Sequence, residues 1–363
     1  MKINFIIPIP GASGGLKVVY RYAEEFIKKG HKVTIYFPIH TYVLTPKKNV
    51  FWRCWFRFTR TMLNISRYCI KDDISKYTHL KVSPVWEIKD KYINDADCVI
   101  ATAWPTAYDV AGLSKSKGSK FYFIQDYEIW DDEELGKGSY LLDVKKIVIA
   151  SWLKKVINEQ SGNNKDIPII NNGIDCQLYE NSNRKMPSAN KQIKILMLYH
   201  ELEKKGVKYG LEAYYIVKKS YPKVKLTMFG MKKGANMPND ITFYENPSRK
   251  KIINLYKEND IFVYSSLVEG WGLTVIEAMA SGCAVVGTKT GCLIDIGINL
   301  ENVMLSDPKD SYQMAENIKY LIENPEELRR ISVNGERSIK RFTWEKSTQE
   351  FINILAGEID VER

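Results

Sequence analysis

Runs of apolar, β-branched residues recur along the chain and alternate with stretches whose apolar positions follow helical spacing. KINFIIP (2–8), KVTIYF (32–37), DCVIAT (97–102), KFYFIQD (120–126) and KKIVIAS (145–151) read as buried strands. Between them lie a glycine-rich loop with an amphipathic helix that Gly30 stops, then helices over PTAYDVAGLSK and WLKKVINEQ. This alternation predicts a parallel, doubly wound sheet. The stretch 167–192 changes character, and its polar, turn-rich tail ENSNRKMPSANK places a domain linker there. A second series follows: strands over KILMLY (194–199), KLTMFG (225–230), DIFVYSS (260–266) and CAVVGT (283–288), with a helix at about 206–220. From about 311 to 356 the pattern is helical. The expectation is an α/β chain of two Rossmann-like domains, 1–180 and 190–342, facing a cleft.

At 363 residues the chain is long enough for two cores. Its 45% hydrophobic and 26% charged residues are ordinary for a globular protein. The net charge of +10 points to an anionic partner or surface. The six cysteines form no C-x-x-C and no metal-type spacing with histidine; Cys98 and Cys283 sit in strand-like runs as core residues, and a reduced cytoplasmic setting is expected. No stretch approaches eighteen apolar residues, and the first residues read as a strand and turn rather than a signal peptide. The segment 47–71 stands apart, with seven Lys/Arg, six aromatics and no acid. Rings and cations interleaved in this way suit an anionic membrane surface, at which the protein would be peripheral. An insertion with core aromatics and solvated cations has the same composition, and nucleic-acid binding, which also uses a basic-aromatic surface, is not expected.

The richest chemistry lies in SSLVEGWGLTVIEAMASGCAVVGTKTG. Strand, glycine loop, helix and strand succeed one another, with Glu269 on the loop and Glu277 inside the helix. Eight residues at 1.5 Å each set them about 12 Å apart. The helix N-terminus between them offers N–H groups and a positive dipole end to an anion. A ligand with hydroxyls at both ends and phosphate in the middle, such as a nucleotide sugar, fits that spacing. The alternative is a surface glutamate beside an ordinary helix glutamate.

This string resembles the signature of retaining family-4 glycosyltransferases of GT-B fold: Glu, Gly, aromatic, Gly, a few apolar residues, then Glu-Ala-Met-Ala-x-Gly. The resemblance is strong from about 260 to 295 and weak over the first domain. It implies that Glu269 contacts the donor sugar and Glu277 the ribose. It places the diphosphate against the backbone of Gly270, Trp271, Gly272, Leu273 and Thr274. In the family the loop matching Gly14 and Gly15 touches the diphosphate and acceptor. Lys205 matches the lysine of an Arg, four residues, Lys-Gly pattern, and His200 stands where the arginine belongs. An imidazole there can donate one hydrogen bond and is open to protonation beside a diphosphate, but cannot make a bidentate contact. Gln125 and Asp126 stand where the family commonly has His-Asp facing the sugar, so Gln125 offers a hydrogen bond and no base. The nucleobase is expected beside FYENPSRKK (243–251). INNGID resembles the string that ends the first domain, and KRFTWEKSTQEFINIL resembles a helix, capped by Thr343, that crosses back onto that domain over about 343–363.

The resemblance implies a metal-independent, cytoplasmic enzyme with no cofactor, moving a sugar from a nucleotide-diphosphate sugar to a glycan or lipid-linked acceptor in surface polysaccharide assembly. Asp131 and Asp132 read as a charged loop rather than a metal-binding D-x-D. A sugar-nucleotide epimerase, a phosphorylase and a non-catalytic nucleotide-sugar binding module share the fold. A short-chain dehydrogenase is the remote alternative: GASGG starts its fingerprint, but Lys17 occupies the last glycine position. Y-x-x-x-K occurs at Tyr77/Lys81 and Tyr221/Lys225.

Overall fold

The computed structural model describes residues 1–11, 13–40, 42, 59, 61–62, 79–162, 166–181, 192–234 and 237–362. The basic-aromatic segment 47–71 lies outside the described residues save Thr59, Thr61 and Met62, as does most of the polar linker stretch. Two compact units emerge, Met1–Asn172 with Trp344–Arg363, and Gly173–Thr343. The division falls at Asn172/Gly173, ahead of the polar stretch. No helix among the described residues is long and apolar enough to cross a membrane.

The first unit is built on β1 (Lys2–Ile6), β2 (Lys32–Pro38), β3 (Lys81–Val85), β4 (Cys98–Ala101), β5 (Ser119–Ile124) and β6 (Lys145–Val148). They form one sheet in the order β3-β2-β1-β4-β5-β6, and every pairing is parallel. Strands buried on both faces need no alternation of apolar and polar residues, which is why they read as continuous apolar runs. Ser13 opens α1 (Gly14–Lys28), its hydroxyl accepting from the Leu16 N–H at 3.4 Å. The apolar stripe of α1 includes Tyr22 and Phe26, both buried. Phe351 of the C-terminal helix Trp344–Glu362 packs on these rings at 5.2 and 5.4 Å, and on Phe123 of β5 at 5.0 Å. That aromatic cluster fixes the last helix to the first unit.

The second unit carries β7 (Lys194–Leu198), β8 (Lys225–Gly230), β9 (Thr242–Glu245), β10 (Ile261–Tyr264), β11 (Ala284–Thr288) and β12 (Met304–Ser306). Their order is β12-β11-β10-β7-β8-β9, again all parallel. Its core gathers Ile195, Met197, Leu226, Met228, Ile261, Val263, Ala284 and Val286 from the strands against helix residues such as Tyr214, Ile318 and Leu328. Both sheets are doubly wound with the same topology, and in each the order reverses beside the first strand. The reversal lies between β1 and β4 in one sheet and between β7 and β10 in the other. Loops leaving the carboxyl ends of those strands diverge and open a crevice, where α/β sheets bind ligands.

Several expectations are corrected locally. β3, β9 and β12 are strands that the apolar pattern does not mark. β5 ends at Ile124, so Gln125 and Asp126 follow the strand rather than end it. Gly14 and Gly15 form the first turn of α1 rather than a loop. Asp131 and Asp132 do lie outside helix and strand, and the Asp132 carboxylate caps the helix Glu133–Ser139, accepting from the Leu135 N–H at 3.0 Å. Tyr221 follows the helix Val207–Ser220 and Lys225 opens β8, so this Y-x-x-x-K pair does not share a helix face.

Candidate functional site

At the switch point of the second sheet, β7 leads into the turn carrying His200 and Lys205, and β10 leads into the loop carrying Glu269. Gly206 joins the two. Its φ of +59° is left-handed, and a Cβ there would stand 2.0 Å from the Ser265 carbonyl oxygen, so only glycine fits. The close approach is stitched by backbone bonds: the Leu267 N–H donates to the Lys204 carbonyl at 2.7 Å, and the Ser265 hydroxyl to the Lys205 carbonyl at 3.2 Å. The Lys205 ammonium thereby meets the Glu269 carboxylate in a half-buried ion pair. Ser266 donates to the same carboxylate oxygen at 3.5 Å. Thr288 and Thr290 hold the loop from beneath, both hydroxyls donating to the Ser266 carbonyl, at 2.5 and 3.2 Å.

Beyond Glu269 the chain turns sharply into the helix Leu273–Ala280. Gly272 precedes it at φ +94°, where a Cβ would press on the Tyr264 hydroxyl at 3.1 Å. Trp271 points inward: it is 2% exposed and its ring packs on Phe342 at 6.0 Å. Its side chain is core, so only its backbone remains to face a ligand. The Trp271 carbonyl accepts from the Cys292 N–H at 2.5 Å, which clamps the turn. Burial, with the Glu269 charge adding to it, pushes the Tyr264 phenol well above its ordinary value. Leu273 and Thr274 are half-buried in the first helical turn, where N–H groups point out of the helix end.

His200 differs from the expected cation. Its Nδ1 accepts from the Leu202 N–H at 3.1 Å, which puts the ring proton on Nε2 of a neutral imidazole. Burial and the Lys205 charge both hold its pKa below the ordinary value. Lys205 is thus a cation beside an imidazole held toward its neutral form.

Glu277 lies five positions into the helix count from Leu273, so only the second half of its eight-residue separation from Glu269 rises at helical pitch. Its carboxylate is held on both oxygens. The Tyr179 hydroxyl donates to Oε1 at 2.6 Å and the Tyr256 hydroxyl to Oε2 at 3.1 Å. Tyr179 ends the short helix Cys176–Tyr179 and Tyr256 lies in the helix Arg249–Glu258; both rings are buried. Arg249 opens that second helix and is exposed, and its charge bears on the Tyr179 phenol. The sequence pattern marks neither tyrosine: Tyr179 is 98 residues from its partner, and such a contact leaves no local signal.

In the first unit, a Cβ on Gly15 would lie 3.7 Å from the Gln125 amide, in ordinary contact, and among the described residues one on Gly14 would meet nothing within 4 Å. The start of α1 is therefore open beside Gln125, whose Oε1 is buried with no hydrogen-bond partner among the described residues. Asp126 accepts from the Tyr127 N–H at 2.9 Å. Glu128, unmarked by the sequence, is 4% exposed and binds the Trp104 N–H and the Tyr122 hydroxyl. Burial pushes its carboxyl up to about 8 against those hydrogen bonds. The described residues contain no group of three or more His, Cys, Asp or Glu placed to hold a metal ion.

Residues 179–338 match the family model described as glycosyl transferases group 1. That stretch is less than half of the chain and contains the whole Lys205–Glu269–Glu277 arrangement. Among curated proteins, probable sucrose-phosphate synthase 1 of Oryza sativa subsp. indica is 34% identical over 101 residues, which is 28% of this chain and 9% of that protein. Sucrose-phosphate synthase of Zea mays is 34% identical over 101 residues, covering 28% and 10%. The match thus spans about a tenth of the length of these relatives. Solved structures align far more widely. HepE of Anabaena in complex with UDP and glucose aligns with a TM-score of 0.75 and 15% identity, over 98% of this chain and 100% of that one. The sucrose-phosphate synthase of Thermosynechococcus elongatus aligns with a TM-score of 0.72 and 15% identity over 99% of both. A glycosyltransferase of Rickettsia africae gives 0.69 and 18%, over 99% and 98%. The fold is GT-B, with two Rossmann-like, parallel-sheet domains.

Proposed function

We propose that this chain is a retaining glycosyltransferase that moves a sugar from a nucleoside-diphosphate sugar to a glycan or lipid-linked acceptor in surface polysaccharide assembly. The observation that carries the reading is the meeting of Lys205 and Glu269 at the β7/β10 switch point, beside the helix that bears Glu277. A cation, a helix N-terminus and two carboxylates in that order suit a diphosphate with a sugar on one side and a ribose on the other.

In this reading the second unit holds the donor and the first receives the acceptor near Gly14, Gly15, Gln125 and Asp126. The donor phosphates lie against the backbone of 270–274, and Lys205 neutralises the charge that builds on the leaving diphosphate. Lys205 is held by Glu269. Bound diphosphate would share that ammonium and leave Glu269 to accept from a sugar hydroxyl. His200 adds a neutral N–H. Retention follows from attack on the same face that the phosphate leaves, assisted by the leaving phosphate. The reaction needs no metal and no further cofactor, since Lys205 and the helix end supply the positive charge. UDP is the first nucleotide to try, because HepE of Anabaena was solved with UDP and with UDP-glucose. The segment 47–71 would dock the protein on an anionic membrane from the cytoplasmic side.

The test is a panel of nucleotide sugars scored by thermal shift, followed by product analysis with the ligands that bind. A ligand specific for the folded state raises the midpoint. Transfer to an added acceptor supports the reading. A bound donor that is only epimerised, or never turned over, replaces it with an epimerase or a binding module. No response to any nucleotide sugar or nucleoside diphosphate sinks it.

A further inference from the structure

Glu277 is an unusual helix glutamate in that both carboxylate oxygens are held by phenols from two other helices. A glutamate on a helix surface samples several rotamers, and fixing one has an entropic cost. Here the cost is met by the fold before any ligand arrives. The Tyr256 ring is fully buried and wedged between Phe229 at 5.9 Å and Phe262 at 5.6 Å. Tyr179 lies edge-on to Tyr256 at 6.3 Å and is 2% exposed. Neither ring has room to swing, so neither hydroxyl can wander.

The chemistry of the pair is one-directional. Burial, with the Glu277 charge adding to it, pushes both phenols above their ordinary value, so they remain O–H donors. A packed phenylalanine would fill almost the same volume, so packing alone does not call for two hydroxyls at this carboxylate. A carboxylate has roughly four acceptor sites, and two tyrosines do not by themselves exhaust it. Held with its two oxygens in a fixed plane, it can receive two neighbouring hydroxyls, which is what a ribose 2′,3′-diol presents.

We propose that Tyr179 and Tyr256 are a positioning pair that presets the Glu277 carboxylate for the ribose diol of a nucleoside diphosphate, and so makes the site select ribonucleotides. The inference rests on the reading of this region as the donor nucleotide site. It adds that ribose selectivity resides in three side chains rather than one, and that the tyrosines touch Glu277 and not the ligand.

The experiment measures calorimetric affinity of UDP, GDP and ADP and of their 2′,3′-dideoxy counterparts for the full chain, its Tyr179→Phe and Tyr256→Phe variants, and Glu277→Gln. The wild type should prefer the ribo form of its nucleotide by about tenfold, the worth of hydrogen bonds to a charged group. Tyr179→Phe should weaken the ribo form several-fold, leave the dideoxy form nearly unchanged, and so shrink the preference. Tyr256→Phe should do the same; if it fails to fold, Tyr179→Phe alone decides. Equal loss of both forms in Tyr179→Phe would make the tyrosines merely structural and overturn the proposal. So would an unchanged preference in the tyrosine variants alongside its disappearance in Glu277→Gln, an outcome that leaves the nucleotide site standing. Binding of none of the six compounds to folded wild type would remove the nucleotide site and the proposal with it.

Discussion

Lys205 and Glu269 form an ion pair across the carboxyl ends of β7 and β10, although 64 residues separate them in sequence. The contact depends on Gly206, whose missing Cβ lets the Lys205 turn rest against the Ser265 carbonyl. A lysine held by one carboxylate is placed without being exhausted, since an ammonium has three protons to donate. Two functions that the proposed reaction needs, charge on the leaving group and a contact to the sugar, thus share one pair.

The two members should separate in kinetics. Glu269→Ala should lower kcat by about 10²–10³, the usual effect of losing a contact made in the transition state. Free nucleoside diphosphate affinity should stay within about threefold, because Lys205 remains. Lys205→Ala should weaken diphosphate binding and turnover together. Steady-state rates and calorimetry read both. Equal loss of affinity and rate in Glu269→Ala would move Glu269 to the nucleotide.

Glu277→Gln keeps the volume of the side chain and removes its charge. Donor and free nucleoside diphosphate should weaken alike, by about tenfold, since the contact is to the ribose that both carry. The comparison is made by calorimetry with the donor and its diphosphate. An unchanged affinity for the diphosphate would show that Glu277 does not hold the nucleotide.

The parts of the fold legible in the sequence were those whose signal is local and repeated. Central strands such as β1, β7, β10 and β11 are apolar on both faces, and their runs stand out against the helices between them. The strands that the sequence pattern does not mark, β3, β9 and β12, are all at sheet edges. β3 contains Pro84, which an edge tolerates and which argues against a strand on sequence alone. β9 and β12 have four and three residues, and half-exposed side chains interrupt their apolar runs. The strand–loop–helix around Glu269 was readable because its glycines mark the sharp turns. The clamp on Glu277 and the buried Glu128 were not, because both are made by side chains that come together only when separate elements pack.

Metal dependence is tested directly. The positive charge needed at the diphosphate is assigned to Lys205 and the start of the helix Leu273–Ala280, so activity should survive excess chelator with little change. Complete loss with chelator, restored by magnesium or manganese, would mean that a divalent ion carries the charge.

Glu128 offers a test of the first unit that does not depend on the reaction. Its carboxyl is buried behind β5, beside the Trp104 N–H and the Tyr122 hydroxyl, with its own N–H donating nothing to the charge because it is spent on the Tyr140 hydroxyl at 2.8 Å. Two effects compete there. Desolvation favours the neutral acid, and the donors around it favour the carboxylate; desolvation is the larger, so the folded value rises from 4.5 to about 8. The unfolded chain releases this proton near its ordinary value while the folded chain keeps it. Stability from this group is therefore complete below about pH 4.5 and is lost as pH rises through about 8, with a slope of at most ~1.4 kcal/mol per pH unit. Glu128→Gln stays neutral at every pH and keeps an oxygen for the Trp104 N–H. Its urea midpoint, compared with that of the wild type at pH 5, 6.5 and 8, should gain on the wild type as pH rises. A gap that stays constant would mean that Glu128 titrates normally. A gap that moves the other way would mean that the surrounding donors outweigh burial and that Glu128 is a carboxylate in the folded protein.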